Sequence, residues 1–196
     1  MNNSHYFSAN PKSDYKESLI EYTIKGKRFK SFTSSGVFSY KHFDLGTRVL
    51  LEYIIDNAEI NGKSVLDLGS GWGAVSQVLS AFFPDSQFYY TDLNKRALHL
   101  SNKNLENQKN CYQWDEEKKL DFCIANPPIK SGKKALEEFT NLALDSLKES
   151  GEIYYVMHKN LGADSFIKNF DSVYPLHFAE RLASKKGYRI IKIIKN

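Results

Sequence analysis

The run Val65-Leu66-Asp67-Leu68-Gly69-Ser70-Gly71-Trp72-Gly73 brings an acid and three alternate glycines to the end of an apolar segment. Glycines let a backbone turn tightly and approach a ligand without Cβ obstruction, and open parallel sheets bind ligands at the carboxyl ends of their strands. The spacing is Gly-x-Gly-x-Gly, unlike the Gly-x-Gly-x-x-Gly of dinucleotide binders, and no Gly-Lys-Ser/Thr accompanies it, which argues against a phosphate cradle. A plain strand-to-helix turn fits the same residues. Asp92 ends the next apolar run, with Leu93 after it. A carboxylate there can accept from both hydroxyls of a ribose, or it can serve as N-terminal charge ahead of a helix. Two carboxylates would repel an anion. They suit a cofactor with a ribose and a cationic amino acid portion, and S-adenosylmethionine, with its ammonium and sulfonium, has that chemistry. Asp67 is then expected on the ammonium side, directly or through water. Asp115 either accepts from the adenine amine or is a solvated acid of Asp115-Glu116-Glu117-Lys118.

A second constellation is Ile124-Ala125-Asn126-Pro127-Pro128-Ile129. Two prolines stiffen the chain and remove two amide donors, so carbonyls are expected to face outward unpaired. With the Asn126 side-chain oxygen they form an acceptor cluster. Such a cluster suits a planar NH2 group, whose hydrogens it would hold while stabilising the positive charge that develops on nitrogen during transfer. Alignment would supply much of the remaining rate. No strong general base is needed, because the amine proton becomes acidic once the methyl is on nitrogen. A structural Asn-Pro turn is the other reading of these residues.

Elements that would position these residues follow from patterning. Glu21–Lys25 and Arg28–Phe32 flank Gly26 as a short hairpin. Helices are expected over Gly46–Asn57, Gly73–Phe82, Asn94 to about Asn107, Lys134–Leu147 and Leu161–Phe170. Strands are expected at Ser64–Leu68, Gln87–Thr91, Asn110–Trp114, Leu120–Ala125, Glu152–Met157, Ser172–His177 and Tyr188–Ile194. This alternation argues for an α/β fold with a mostly parallel sheet and helices on both faces. Ala179–Gly187 is too short for a crossover helix, which points to a final antiparallel hairpin. Met1–Ser35 reads as an N-terminal appendage and Gly36–Asn196 as the main domain.

The chain has 196 residues, 41% of them hydrophobic and 26% charged, which fits a globular domain with a real core. No apolar run approaches the roughly 18 residues that span a bilayer. The polar stretch Met1–Asn10 lacks a signal-peptide core, so cytoplasm and no membrane partner are expected. Cys111 and Cys123 are expected as free thiols, and the five histidines lack ligand spacing, so no metal is assigned. Net charge is +4. Residues 25–30 hold four cations and no acid, and residues 181–196 hold six. If the fold joined them they would form a polyanion-binding surface; otherwise they are solvated strand edges carrying lysine.

Together these residues resemble the amino-methylating branch of the class I methyltransferases, whose mark is Asn/Asp-Pro-Pro and then an aromatic or apolar residue. They are more closely similar to the family that methylates guanine N2 in small-subunit (16S) ribosomal RNA. The resemblance rests on Gly36-Val37-Phe38-Ser39, Asp44-Leu45-Gly46-Thr47, the Asp67–Gly71 loop, Asn126–Ile129 with Lys130-Ser131-Gly132-Lys133, and Gly187-Tyr188-Arg189. The lead His5-Tyr6-Phe7-Ser8 looks like single-domain members. The resemblance implies a Rossmann-like seven-stranded sheet with its last strand antiparallel and S-adenosylmethionine over Gly69–Gly73. It also implies Gly46 and Thr47 near the amino acid end of that cofactor, and ribosomal RNA or the small subunit as partner. Some members carry two domains, and this chain has room for one, so RNA contacts would come from the appendage, surface loops or another subunit. Ile129 stands where adenine-modifying relatives use an aromatic residue. Base stacking would then fall to Phe38 or Tyr40, unless these pack under the appendage. The same chemistry on another RNA guanine, a DNA adenine or a protein glutamine is an alternative. A catalytically silent module that binds cofactor and RNA is another.

Overall fold

The computed structural model describes residues 14–196; the lead His5-Tyr6-Phe7-Ser8 and the stretch Met1–Asn10 lie outside them. Glu17–Ile24 (β1) and Lys27–Ser34 (β2) pair as an antiparallel hairpin, longer than the predicted one. There follow Leu45–Asn57 (α1), Ser64–Leu68 (β3), Ala74–Phe82 (α2), Gln87–Thr91 (β4), Lys95–Leu105 (α3), Cys111–Gln113 (β5) and Leu120–Ala125 (β6). Lys133–Ser146 (α4), Leu147–His158 (β7), Ala163–Val173 (α5), Phe178–Lys185 (β8) and Tyr188–Ile194 (β9) complete the chain.

Seven strands form one sheet in the order β5-β4-β3-β6-β7-β9-β8. The five from β5 to β7 are mutually parallel, and β9 lies antiparallel between β7 and β8. Successive strand side chains point to opposite faces, and that alternation divides the core. Val65, Phe88, Ile124, Tyr154, Val156 and Ile190 face α1, α2, α3 and the hairpin, which adds Tyr22 and Ile24. Leu66, Cys123, Ile153, Tyr155, Ile191 and Ile193 face α4 and α5. The chain leaves β3 toward β4 on one side and later returns to β6 on the other. The crevice beyond the carboxyl ends of β3 and β6 is therefore the switch point where open α/β sheets bind ligands.

Two expectations change. The strand predicted at Ser172–His177 is absent: α5 runs on to Val173, and the strand is β8, Phe178–Lys185. Phe166, Phe170 and Tyr174 recur every fourth residue and pack in sequence, the first pair edge-on and the second tilted, with centroids 5.5 and 4.8 Å apart, so the helical face holds the chain past Phe170. Ala179–Gly187 is then mostly strand, and the antiparallel hairpin closes through Lys186 and Gly187, both at positive φ (51° and 83°) as a two-residue primed turn requires. The Ser150-Gly151 turn is a bulge within β7, where the register against β6 shifts.

Several cations of the two basic segments pair with acids, and Lys25 and Lys185, one from each, meet Asp56 and Glu52 one turn apart on α1. Lys25 pairs with Asp56 at 2.8 Å and Lys27 donates to the Ala81 carbonyl at 2.5 Å, fixing the hairpin turn at the C-terminal ends of α1 and α2. Arg181 and Arg189 face Asp164, Lys185 faces Glu52 and Lys192 faces Glu152. No helix among the described residues is long and apolar enough to cross a membrane. Cys111 and Cys123 are free thiols.

Candidate active site

The glycine loop leaves β3 with Gly69, Gly71 and Gly73 at φ of 73°, 61° and 86°, a left-handed backbone that L side chains rarely adopt. Gly69 and Ser70 N–H both donate to the Thr91 carbonyl at 3.0 Å, tying the loop to the end of β4. The glycines differ in surroundings. A Cβ on Gly73 would meet Leu105 and the Ser101 backbone at 3.2 and 3.3 Å, so Gly73 lets α2 pack on α3. A Cβ on Gly71 would meet nothing within 4 Å, so that backbone faces open space. The Ser70 hydroxyl turns to Ser101 at 3.0 Å, and Ser70 C=O accepts from Gly73 N–H at 2.8 Å.

Asp92 joins the loop to α3. One carboxylate oxygen accepts from Gly71 N–H and the other from Asn94 N–H, both at 2.8 Å. Burial pushes its carboxyl up to about 6, against those two hydrogen bonds, which pull it down. Asn94 caps α3 as expected, accepting from Arg96 N–H at 3.0 Å. Beside them Leu93 is 80% exposed, an apolar side chain standing in water at the rim.

Asp67 ties β3 to α2. It is 2% exposed and accepts from Ser76 N–H at 3.0 Å and Ser76 Oγ at 2.9 Å, so it clamps the first turn of α2 onto β3. Burial raises its carboxyl to about 7, the Ser76 bonds oppose this, and Asp92 adds to the rise.

Across the crevice, Asn126 follows β6 and donates its Nδ2 to Asp44 Oδ2 at 3.0 Å and Thr47 Oγ1 at 3.2 Å. Asp44 is the N-cap of α1, accepting from Thr47 N–H at 2.7 Å and Thr47 Oγ1 at 3.1 Å. The amide oxygen of Asn126 is thereby the end turned away from α1. Tyr188 packs against the same corner: a Cβ on Gly46 would lie 2.7 Å from its ring, and the ring meets His158 edge-on at 4.9 Å.

The proline carbonyls correct the expectation that they are unpaired. Pro128 at φ −78°, ψ 60° forms an inverse γ-turn in which Pro127 C=O accepts from Ile129 N–H at 2.8 Å, and Pro128 C=O accepts from Ser131 N–H at 2.9 Å. Each carbonyl keeps a second lone pair. Ile129 packs against the core on the α4–α5 side.

The structure brings Gly69–Gly73 together with Asp92, and Asn126 together with Thr47. It leaves Asp115 one strand further out, exposed and accepting from Glu117 N–H within its own turn. Phe38 is exposed on the loop between β2 and α1; Asn94 Nδ2 holds that loop through the Gly36 carbonyl at 2.9 Å. Sequence patterning gives Asp44 no site role, although an aspartate immediately before an apolar helical run is an N-cap signal. Among the described residues no cluster of three or more His, Cys, Asp or Glu is arranged to hold a metal ion.

The Methyltransferase small domain family matches residues 28–192. The uncharacterized protein YbxB of Bacillus subtilis (strain 168) is 32% identical over 201 residues, covering 97% of this chain and 98% of that protein. Ribosomal RNA small subunit methyltransferase C of Haemophilus influenzae (strain PittGG) is 30% identical over 89% of this chain and 53% of its own length. The chain thus spans about half the length of the methyltransferase C relatives it matches. Among solved structures, T. thermophilus 16S rRNA N2 G1207 methyltransferase (RsmC) in complex with AdoMet and guanosine is similar, with TM-score 0.77 and 21% identity over 92% of this chain and 51% of that one. M. jannaschii TYW2 in complex with AdoMet is similar with TM-score 0.57 and 14% identity, over 91% and 85% of the two chains. At these identities both likenesses establish the Rossmann-like methyltransferase fold.

Proposed function

Because the chain belongs to the methyltransferase small-domain family, we propose that it transfers a methyl group from S-adenosylmethionine to the exocyclic N2 amine of a guanine in ribosomal RNA of the small subunit. One observation carries the reading. The Asn126 amide is held by its NH2 end against Asp44 and Thr47, which presents an acceptor oxygen at the crevice shared with the glycine loop. The residues fit the cofactor. Gly71 borders open space, and after its two backbone bonds the Asp92 carboxylate retains lone pairs for ribose hydroxyls. Leu93 offers an apolar surface beside them, and Thr47 lies at the amino acid end. Asp67 acts on the loop through Ser76. The relatives named for ribosomal RNA methylation, and the two similar structures that contain AdoMet, support the assignment.

When bound, the cofactor supplies an electrophilic methyl on sulfonium. The chain's own residues do the rest. Asn126 Oδ1 and the free lone pair of Pro127 C=O accept the two amine hydrogens and so aim the nitrogen lone pair. As the nitrogen gains positive charge these acceptors stabilise it, and one of the held protons leaves afterwards to water. Pro128 fixes the turn that carries the Pro127 carbonyl, and Ile129 anchors it to the core. Phe38, exposed on the loop before α1, would supply the surface on which the base stacks. The target base must be unpaired or flipped to reach the site.

The test is incubation with labelled cofactor and small ribosomal subunits that lack modifications, followed by digestion to nucleosides. Label in N2-methylguanosine is expected. Label confined to N6-methyladenosine or to protein, or cofactor binding with no transfer, would overturn the guanine assignment.

A further inference from the structure

We propose that Asp44 is a positioning residue for methyl transfer, acting through Asn126: it fixes which end of the amide meets the incoming amine. This rests on the amine-methylation reading above. Asp44 Oδ2 collects three donors, Thr47 N–H at 2.7 Å, Thr47 Oγ1 at 3.1 Å and Asn126 Nδ2 at 3.0 Å. An ionised carboxylate only accepts. The Thr47 hydroxyl gives its proton to Asp44, so toward Asn126, at 3.2 Å, it too offers only lone pairs. Both neighbours of that end of the amide are therefore acceptors, and the amide oxygen placed there would face two oxygens. The NH2 must point at α1 and Oδ1 into the crevice.

The same bond has an electronic consequence. A carboxylate accepting from the amide N–H polarises the amide and strengthens Oδ1 as an acceptor, since linked hydrogen bonds reinforce one another where water is scarce. It also sets one negative charge behind a nitrogen that becomes cationic during transfer. Asp44 thus has a second role besides capping α1. The two roles separate in Asp44→Asn. Asparagine caps helices as well as aspartate does, and with its amide oxygen in the place of Oδ2 it can accept from the same three donors, but it lacks the charge.

The experiment compares wild type, Asp44→Asn, Asn126→Ala and the double variant. Single-turnover transfer to unmodified small subunits is measured alongside calorimetric affinity for S-adenosylhomocysteine. Asp44→Asn is expected to slow transfer by about tenfold or more while cofactor affinity stays within about threefold, and to add nothing in the Asn126→Ala background. Additive losses, or affinity falling in step with rate, would mean that Asp44 serves only the helix, and would overturn the proposal. NMR judges the contact independently of any RNA. In the wild-type protein the Asn126 side-chain NH2 protons should show cross-relaxation to the Thr47 methyl, and Asp44→Asn should shift both; absence of the first or of the second overturns the proposal. A wild-type protein that transfers no methyl refutes the guanine reading, while the NMR result still decides the Asp44 contact.

Discussion

Replacing Asp67 by Asn should stabilise the protein, and increasingly so as pH rises. Asp67 is buried, with two bonds from Ser76 as its polar contacts. Asparagine keeps an acceptor for both and removes the charge. The Asp67 carboxyl stands at about 7 in the fold against an ordinary value of 3.8. A raised folded value means that the folded state holds the proton more tightly. The stability this confers is complete below about 4 and lost as pH climbs through about 7. A rise of roughly three units corresponds to a ceiling of about 4 kcal/mol. Urea unfolding followed by the fluorescence of Trp72 and Trp114, both buried, gives the free energy at each pH. The difference between Asp67→Asn and wild type should widen by several kcal/mol from pH 4.5 to 8.5, since groups common to both proteins cancel. Parallel curves would show that Asp67 ionises in the fold as easily as in the unfolded chain, and the burial argument would fail.

Asn126→Ala should keep cofactor affinity and lower transfer by about a hundredfold, the scale of losing one preorganised partner in a transition state; single-turnover assay with full retention of rate would contradict the amine-binding role. Asp92→Ala should weaken S-adenosylhomocysteine binding about tenfold or more, because the ribose acceptor and the Gly71 tether go together; calorimetry showing unchanged affinity would count against it. Gly71→Ala meets no neighbour, so unfolding should register only the left-handed backbone strain, about 1–2 kcal/mol, while a methyl projecting into the cofactor's space should cost more in binding than in stability. The opposite ranking would place the cofactor elsewhere.

Much of the fold is readable from local pattern. β3, β4 and β6 occupy their predicted residues because each is a short, mostly apolar run followed by glycine, aspartate or asparagine, and Asn94 announces the start of α3. β8 is less legible. It is an edge strand in which charged residues interrupt the apolar ones, and the neighbouring aromatic spacing belongs to α5. The side of the sheet that Asp67 occupies was available from strand periodicity: it lies two residues after Val65, on the face that α2 covers, where it meets Ser76. The Asp44 contact was not available. Asp44 can be read as an N-cap, but its meeting with Asn126 depends on the end of β6 arriving at the first turn of α1, which only the folded topology supplies. The engaged Pro127 carbonyl likewise depends on the γ-turn at Pro128, a backbone choice that Asn-Pro-Pro permits without dictating.

The most direct test is a crystal structure with S-adenosylhomocysteine and guanosine bound together. The expected result has the thioether nucleoside against Gly71 with its ribose at Asp92, and the guanine N2 within about 2.7–3.2 Å of Asn126 Oδ1. Guanosine seated elsewhere, or Asn126 turned so that its NH2 meets the base, would contradict it.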